Sequence, residues 1–292
     1  MNDIKNCPIC DHTEFTPHLK AVDYTVSKDT FSIVTCNNCR FHFTNPIPTI
    51  DKIGEYYKAE SYVSHSSTNK GLINKLYQRV RKYTLKQKVK LVKRVSKGNN
   101  TADIGAGTGH FLNACQEAGF NALGLEPDAD ARAFAEKTFK ANIQPLDELH
   151  DLPNESRDVI TMWHVLEHVY ELRKDLEKIT KILKPDGRLI VAVPNMSSFD
   201  AKHYQEFWAA YDLPIHLYHF VPDDIKRLFD HYEMELEEML PMKFDAYYVS
   251  MLSEKYKGGN NVKAFFNGWC SNMKAKNGSY SSQIYILKKK GH

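Results

Sequence analysis

Apolar positions recur at two different periods along the chain, and the change from one to the other sets out its organisation. From Lys70 to Ser96, the residues Ile73, Leu76, Tyr77, Val80, Val89, Val92 and Val95 fall at helical spacing, and Gly98-Asn99-Asn100 ends that helix. Short apolar runs then alternate with amphipathic stretches. Thr101 to Ile104 reads as a strand, His110 to Ala118 as a helix, Ala122 to Leu125 as a strand, Ala129 to Phe139 as a helix and Asp158 to Trp163 as a strand. Leu172, Leu176, Ile179 and Leu183 mark a further helix, broken by Lys184-Pro185-Asp186-Gly187 before a strand from Arg188 to Val193. This alternation predicts an α/β fold with a parallel, doubly wound sheet.

The rhythm is absent at both ends. Residues 1 to 45 alternate polar and aromatic positions around four cysteines, and Asn45-Pro46-Ile47-Pro48 closes that module because two prolines so close exclude helix and central strand. After Pro194-Asn195 comes a segment, Ser197 to Val221, dense in aromatics and histidine, which stands where an insertion beyond a strand's carboxyl end can roof a pocket. A helix is predicted from Pro222 to His231, strands over Met234–Met239 and Gln283–Leu287, and a mixed insertion over Ser253–Ser282. The expected division is a cysteine module over 1–45, a helical linker or lid over 46–97, and a catalytic domain over 98–292 with substrate-capping insertions at about 196–221 and 253–282.

The chain has 292 residues with 42% apolar, enough for a packed core, and no apolar run long enough for a spanning helix. Its first ten residues, MNDIKNCPIC, lack a basic-then-apolar leader, so a cytoplasmic location without integral membrane association is expected. Net charge is +3, but between Ser61 and Ala102 stand eleven lysines and arginines and no acid. Subtracting those eleven leaves −8 on the rest of the chain. A local basic strip on an acidic protein points to a local anionic contact or to a solvated face.

Chemistry concentrates in Ala102-Asp103-Ile104-Gly105-Ala106-Gly107-Thr108-Gly109-His110, a glycine-rich turn opening a helix after the first strand of the alternation. Such a turn lets a ligand approach free helix N–H groups. A dinucleotide fingerprint needs its third glycine three positions after the second, where this chain has His110, so the pattern is G-x-G-x-G. The next strand ends in Gly124-Leu125-Glu126-Pro127, placing a carboxylate where ribose hydroxyls can donate to it. These blocks, followed by Asp158-Val159-Ile160, Trp163-His164-Val165-Leu166-Glu167-His168-Val169 and Leu183 to Leu189, resemble the seven-stranded, Rossmann-like class I S-adenosylmethionine-dependent methyltransferases over roughly Asn99 to Asn195. The resemblance implies that Asp103 and the turn Gly105 to Gly109, including Ala106 and Gly107, hold the methionine end of the cofactor, that Glu126 holds its ribose and that Pro127 also lines the cofactor. It further implies that Leu146 and Asp147 edge the adenine and that Trp163 and His164 border the reacting methyl group.

Residues 164–168 also spell H-x-x-E-H, which on a helix is a zinc-peptidase motif; its place after a strand of a cofactor-binding sheet argues against that reading. Cys7-Pro8-Ile9-Cys10 and Cys36-Asn37-Asn38-Cys39, separated by 25 residues, form a zinc-ribbon arrangement, a closed structural site for one Zn2+ in place of a core that so short a module cannot build. Methyl transfer is an in-line displacement governed by positioning. A hydroxyl or amine acceptor gains from a general base, for which His164, His168, His216 and His219 are the candidates. The combination of a zinc-binding N-terminus with such a domain is similar to sugar-modifying methyltransferases of glycan and natural-product pathways and to ribosomal RNA guanine methyltransferases with a four-cysteine finger. A small-molecule, glycan or lipid-linked acceptor is expected, with RNA as the alternative partner and a non-catalytic cofactor-binding regulator as a remote one.

Overall fold

A computed structural model describes residues 1–57, 72–275 and 278–291, with only the backbone of 72–77. Lys70 and the first part of the basic segment lie outside the described residues, as do the side chains of Ile73, Lys75, Leu76 and Tyr77. The alternating region forms a seven-stranded sheet. Its strands are β4 (Asn100–Ile104), β5 (Asn121–Leu125), β6 (Ile143–Gln144), β7 (Arg157–Trp163), β8 (Leu183–Pro194), β10 (Met234–Pro241) and β11 (Ser282–Lys289), in the order β10-β11-β8-β7-β4-β5-β6. The pairs from β8 to β6 are parallel, and the two C-terminal strands close the sheet antiparallel. This is the doubly wound sheet the periodicity predicts.

Two expectations are corrected. Lys184-Pro185-Asp186-Gly187 does not separate the helix from its strand: β8 starts at Leu183, and its pairing with β7 jumps from Arg157↔Leu183 to Val159↔Arg188. The intervening residues bulge, held by Lys184 Nζ 2.8 Å from Asp158 Oδ1. The mixed insertion is a pair of helices, one over Asp245–Lys257 and one over Asn261–Lys274, and it begins before Ser253. Gly258 ends the first helix at φ +75°, and the Asn260 carboxamide oxygen accepts from the N–H groups of Val262 and Lys263 to start the second.

The basic helix, α1 (Leu72–Val95), lays Leu85, Val89, Val92 and Val95 on one flank of the sheet with Phe111, Leu112 and Ile190. Helices α2 (His110–Glu117), α3 (Ala129–Phe139) and α4 (Leu172–Ile182) are the crossovers. On the other flank a second, antiparallel sheet, β1 (Phe15–Val22), β2 (Thr30–Cys36) and β3 (His42–Thr44), is completed by β9 (Tyr218–His219), so the aromatic segment supplies the cysteine module's fourth strand. The rings of Phe41 and Phe220 lie 5.4 Å apart, and one continuous core runs from Cys7, Ile9 and Cys36 to Leu166, Leu189 and Tyr285. Tyr204, Trp208 and Tyr211 are likewise spent on packing, against Phe31, Ile33 and Val249. Each such ring stabilises the fold by about 1.5–3 kcal/mol through burial. Among the described residues no helix is long and apolar enough to cross a membrane.

Candidate functional site

Sheet order decides where a ligand can sit. From β4 the chain moves outward through β5 to β6, then returns to β7 on the other side of β4, and this reversal opens a crevice at the carboxyl ends of β4 and β7. The glycine turn, Glu126 and Trp163-His164 stand at the carboxyl ends of β4, β5 and β7, so the topology brings together three segments far apart in sequence.

In the turn, the N–H groups of Gly105 and Ala106 both donate to the Leu125 carbonyl, at 2.7 and 3.1 Å. Gly105 has φ +69°, and a Cβ there would lie 2.4 Å from Val165 Cγ2. Gly107, at φ +52°, has nothing within 4 Å of where its Cβ would be, so its backbone borders open space. Glu126 is 8% exposed and braces this loop: Oε2 accepts from Gly107 N–H at 2.7 Å and Oε1 from Asp128 N–H at 3.0 Å. Asp103 Oδ1 accepts from the Thr161 hydroxyl at 2.6 Å, and burial pushes its pKa up to about 7 although Thr161 and Lys88 pull it down. Pro127 is exposed, with its carbonyl accepting from Arg132; Leu146 is half-buried and Asp147 exposed, at the start of the turn that follows edge strand β6.

His164 leaves β7 at φ +57°, and its ring lies between two carboxylates, Nε2 3.0 Å from Asp245 Oδ2 and Nδ1 3.3 Å from Glu167 Oε1. Burial opposes a charged ring there, but these two partners outweigh it and raise the pKa to about 10. His168 Nδ1 lies 3.0 Å from both the Ile215 carbonyl oxygen and the Tyr57 hydroxyl. The His216 ring packs edge-on to His168 at 4.6 Å, with burial holding it neutral. His219 stands apart in the four-stranded sheet, Nε2 3.0 Å from Thr44 Oγ1, its pKa pushed down to about 3 by burial and then by His42. Residues 166–168 form a single 3-10 turn, so His164 and His168 do not share a helical face as the peptidase motif requires.

Two residues here were not singled out from the sequence. Asp245 follows a strand and carries no motif; only the chain's return across the sheet brings it to His164. Lys88 belongs to the basic strip, yet its Nζ lies over the Trp163 ring, 4.1 Å from the centroid, with Phe111 packed edge-on to the same indole at 5.5 Å. The signal available for Lys88 was its place at helical spacing between apolar Leu85 and Leu91.

The four module cysteines are free thiols whose sulfurs all lie within 4.8 Å of one another, with Cys7–Cys39 at 3.5 Å and Cys10–Cys36 at 3.6 Å. Tetrahedral coordination at Zn–S of about 2.3 Å needs sulfur–sulfur edges of roughly 3.8 Å, so the four fit one zinc ion. Arg173 of α4 donates to the Pro8, Cys7 and Ile9 carbonyls and pairs with Asp11 at 2.7 Å, while Arg227 donates to the Cys39 carbonyl. Cys115, buried on α2, packs in the cluster that holds Phe111 and Leu112.

Comparison with known proteins places the chain among methyltransferases in sequence and fold. The curated methyltransferase YcgJ of Bacillus subtilis (strain 168), itself uncharacterized, is 29% identical over 96 residues, a match spanning 30% of this chain and 38% of that protein's length. Geranyl diphosphate C-methyltransferase from Streptomyces coelicolor A3(2) superposes with a TM-score of 0.51 at 8% identity, over 70% of this chain and 80% of that one. A SAM-dependent methyltransferase from Archaeoglobus fulgidus gives a TM-score of 0.49 at 20% identity, over 72% and 94%. The methyltransferase domain family matches residues 77–239, a span that takes in the glycine turn, Glu126 and the β7 exit. With more than half its length in that match, the chain belongs to the methyltransferase domain family, and the match falls on the seven-stranded sheet.

Proposed function

We propose that this chain transfers a methyl group from S-adenosylmethionine to a small polar acceptor, a sugar, glycan or lipid-linked molecule. The cofactor supplies an electrophilic methyl on a sulfonium. The bare Gly107 backbone beside the buried Glu126 carboxylate fits such a group, with Glu126 accepting from ribose hydroxyls and Asp103 and Gly105 to Gly109 holding the amino-acid end. Leu146 and Asp147 would edge the base. Trp163 and His164 would border the methyl, with Lys88 stacked on the indole closing that side.

The observation that carries the acceptor class is the His164–Asp245 pair beside Trp163. Its side chains are 34% and 24% exposed, so its carboxylate offers an acceptor to a compact polar molecule in a partly dried site. With its two N–H groups taken by Asp245 and Glu167, the charged His164 ring fixes the Asp245 carboxylate, which under this reading orients an acceptor hydroxyl by accepting from it. The basic strip weakens the RNA alternative. Arg94 pairs with Glu238, Lys97 lies 3.6 Å from Asp186, and Lys88 is turned inward, which removes three of its charges from any phosphate track. The domain division at residues 45 and 97 is part of this reading; the lid expected over 46–97 lies partly outside the described residues, and of the two insertions the helix pair that carries Asp245 stands over the acceptor.

The test is transfer of labelled methyl groups to nucleotide sugars, lipid-linked glycans and ribosomal RNA in parallel. Label in a sugar-bearing acceptor, with its KM raised modestly when Arg79, Arg81 and Lys82 are neutralised together, is the expected result. Label confined to RNA, with affinity falling on a log–log salt slope of about −0.7 per phosphate contact, would overturn the acceptor class.

A further inference from the structure

We propose that Glu167, His168 and His216 form a second metal site, which takes a first-row divalent transition ion. One ligand atom from each lies within 4.8 Å of the other two. Glu167 is fully buried; its Oε1 is engaged by His164, but Oε2 has no hydrogen-bond partner among the described residues. A buried carboxylate oxygen without a donor is costly, and a cation satisfies it. Both imidazoles are set as ligands. His216 Nδ1 lies 2.9 Å from the Ala210 carbonyl oxygen and His168 Nδ1 3.0 Å from that of Ile215. A carbonyl only accepts, so each Nδ1 carries the proton and each Nε2 keeps its lone pair, the outer-shell arrangement that orients metal-binding histidines. The two segments are tied together, since Leu217 N–H donates to the Glu167 carbonyl at 2.8 Å.

Two imidazoles and one carboxylate select zinc, iron(II), cobalt or nickel over magnesium and calcium, which prefer all-oxygen shells. Three protein ligands leave at least one coordination position, unlike the closed four-thiolate site. His164 is not in the set, so this is not the pair that H-x-x-E-H spells. The inference rests on side-chain geometry alone and stands apart from the identity of the methyl acceptor.

Titration of the purified full chain with cobalt(II), followed by visible absorption and elemental analysis, tests it. The wild type should take two equivalents, one with thiolate charge-transfer absorption and one without. Glu167→Gln and His216→Gln should each take only the thiolate equivalent while keeping wild-type circular dichroism, and His164→Gln should still take two. Should His216→Gln fail to fold, the near-isosteric Glu167→Gln carries the test. A wild type that stops at one equivalent, a second equivalent that survives in Glu167→Gln, or one lost only in His164→Gln would overturn the assignment.

Discussion

Glu126→Gln separates two tasks placed on one side chain. The carboxylate accepts two backbone N–H groups, from Gly107 at 2.7 Å and Asp128 at 3.0 Å, and under the proposed function it also receives the ribose hydroxyls. A glutamine has one carbonyl, so it can satisfy one of those donors and must turn its NH2 toward the other. Hydrogen bonds to a charged group are worth about 1.5–3 kcal/mol in mutational terms. Burial offsets part of this, because it raises the Glu126 pKa despite both N–H bonds and so already taxes the charged form. The ligand-free protein should therefore lose about 2 kcal/mol, a fall of roughly 4–8 °C in Tm at this chain length. Binding of S-adenosylhomocysteine should weaken by a further 1–3 kcal/mol, about 5- to 150-fold in Kd. Calorimetric titration and thermal unfolding of the same samples give both numbers. Lower Tm with unchanged Kd would leave Glu126 as a loop brace only and move the ribose site elsewhere; no change in either would refute the hydrogen-bond reasoning itself.

Asp103 predicts a pH dependence. Burial lifts its carboxyl from 3.8 to about 7 in the fold, so the folded chain holds the proton more tightly than the unfolded one. The group contributes nothing below about pH 4, costs increasing stability as pH rises toward 7, and costs a constant amount above, at most about 4 kcal/mol. Urea unfolding of Asp103→Asn against wild type should show a stability gain that grows over that window, and a pH-independent difference would contradict it. Asp200 is fully buried and accepts from Trp208 Nε1 and the hydroxyls of Ser271 and Ser281 at 2.6–2.9 Å, so Asp200→Ala strands three donors and should cost about 3 kcal/mol or more; a loss under 1 kcal/mol in denaturant melts would show that those donors find other partners. Arg173→Ala removes the bonds to the first cysteine knuckle from a side chain 47% exposed, so a modest cost of about 1 kcal/mol and faster zinc release to a chelator are expected. Chelation itself should raise hydrogen exchange at residues 215–219 before it reaches β4 or β5, and simultaneous exchange across both sheets would contradict that order.

The sheet was legible because its elements advertise themselves locally. Ala129–Phe139 carries its own period and an Asp128 cap whose carboxylate accepts from Ala131 N–H, and the helix is found with those bounds. The G-x-G-x-G turn and Glu126 were legible for a related reason, since backbone geometry and a strand end fix what residue types stand there. Two-residue strands gave no period to read: Ile143–Gln144 exists by pairing with β5, and Tyr218–His219 by pairing with β3 from another part of the chain. The aromatics of 197–221 suggested a roof, yet most of them pack, because in sequence a ring lining a pocket and a ring filling a core look alike. The site's electrostatics were the least legible. Asp245 and Lys88 gain their significance only from the groups that tertiary folding sets opposite them, His164 and Trp163.

The cysteine module bears on the catalytic face through the backbone. Thr44, on β3, takes Leu217's carbonyl with its N–H at 2.9 Å and donates its hydroxyl to the His216 carbonyl at 2.7 Å. Leu217 in turn bonds Glu167, and the Ile215 carbonyl sets the His168 ring. The histidine-bearing segment is thus held from the cysteine module on one side and from the β7 exit on the other, and its own short strand is too small to persist alone. A metal held by Cys36 and Cys39 would tie the end of β2 to the middle of the loop that leads into β3. Such a tie would hold the register in which β9 pairs with β3, and with it the segment that carries His216. A metal held by the four cysteines would therefore bear on the carboxyl end of β7 without touching a substrate, because the sheet it would anchor contains the strand Tyr218–His219, whose neighbour Leu217 bonds Glu167.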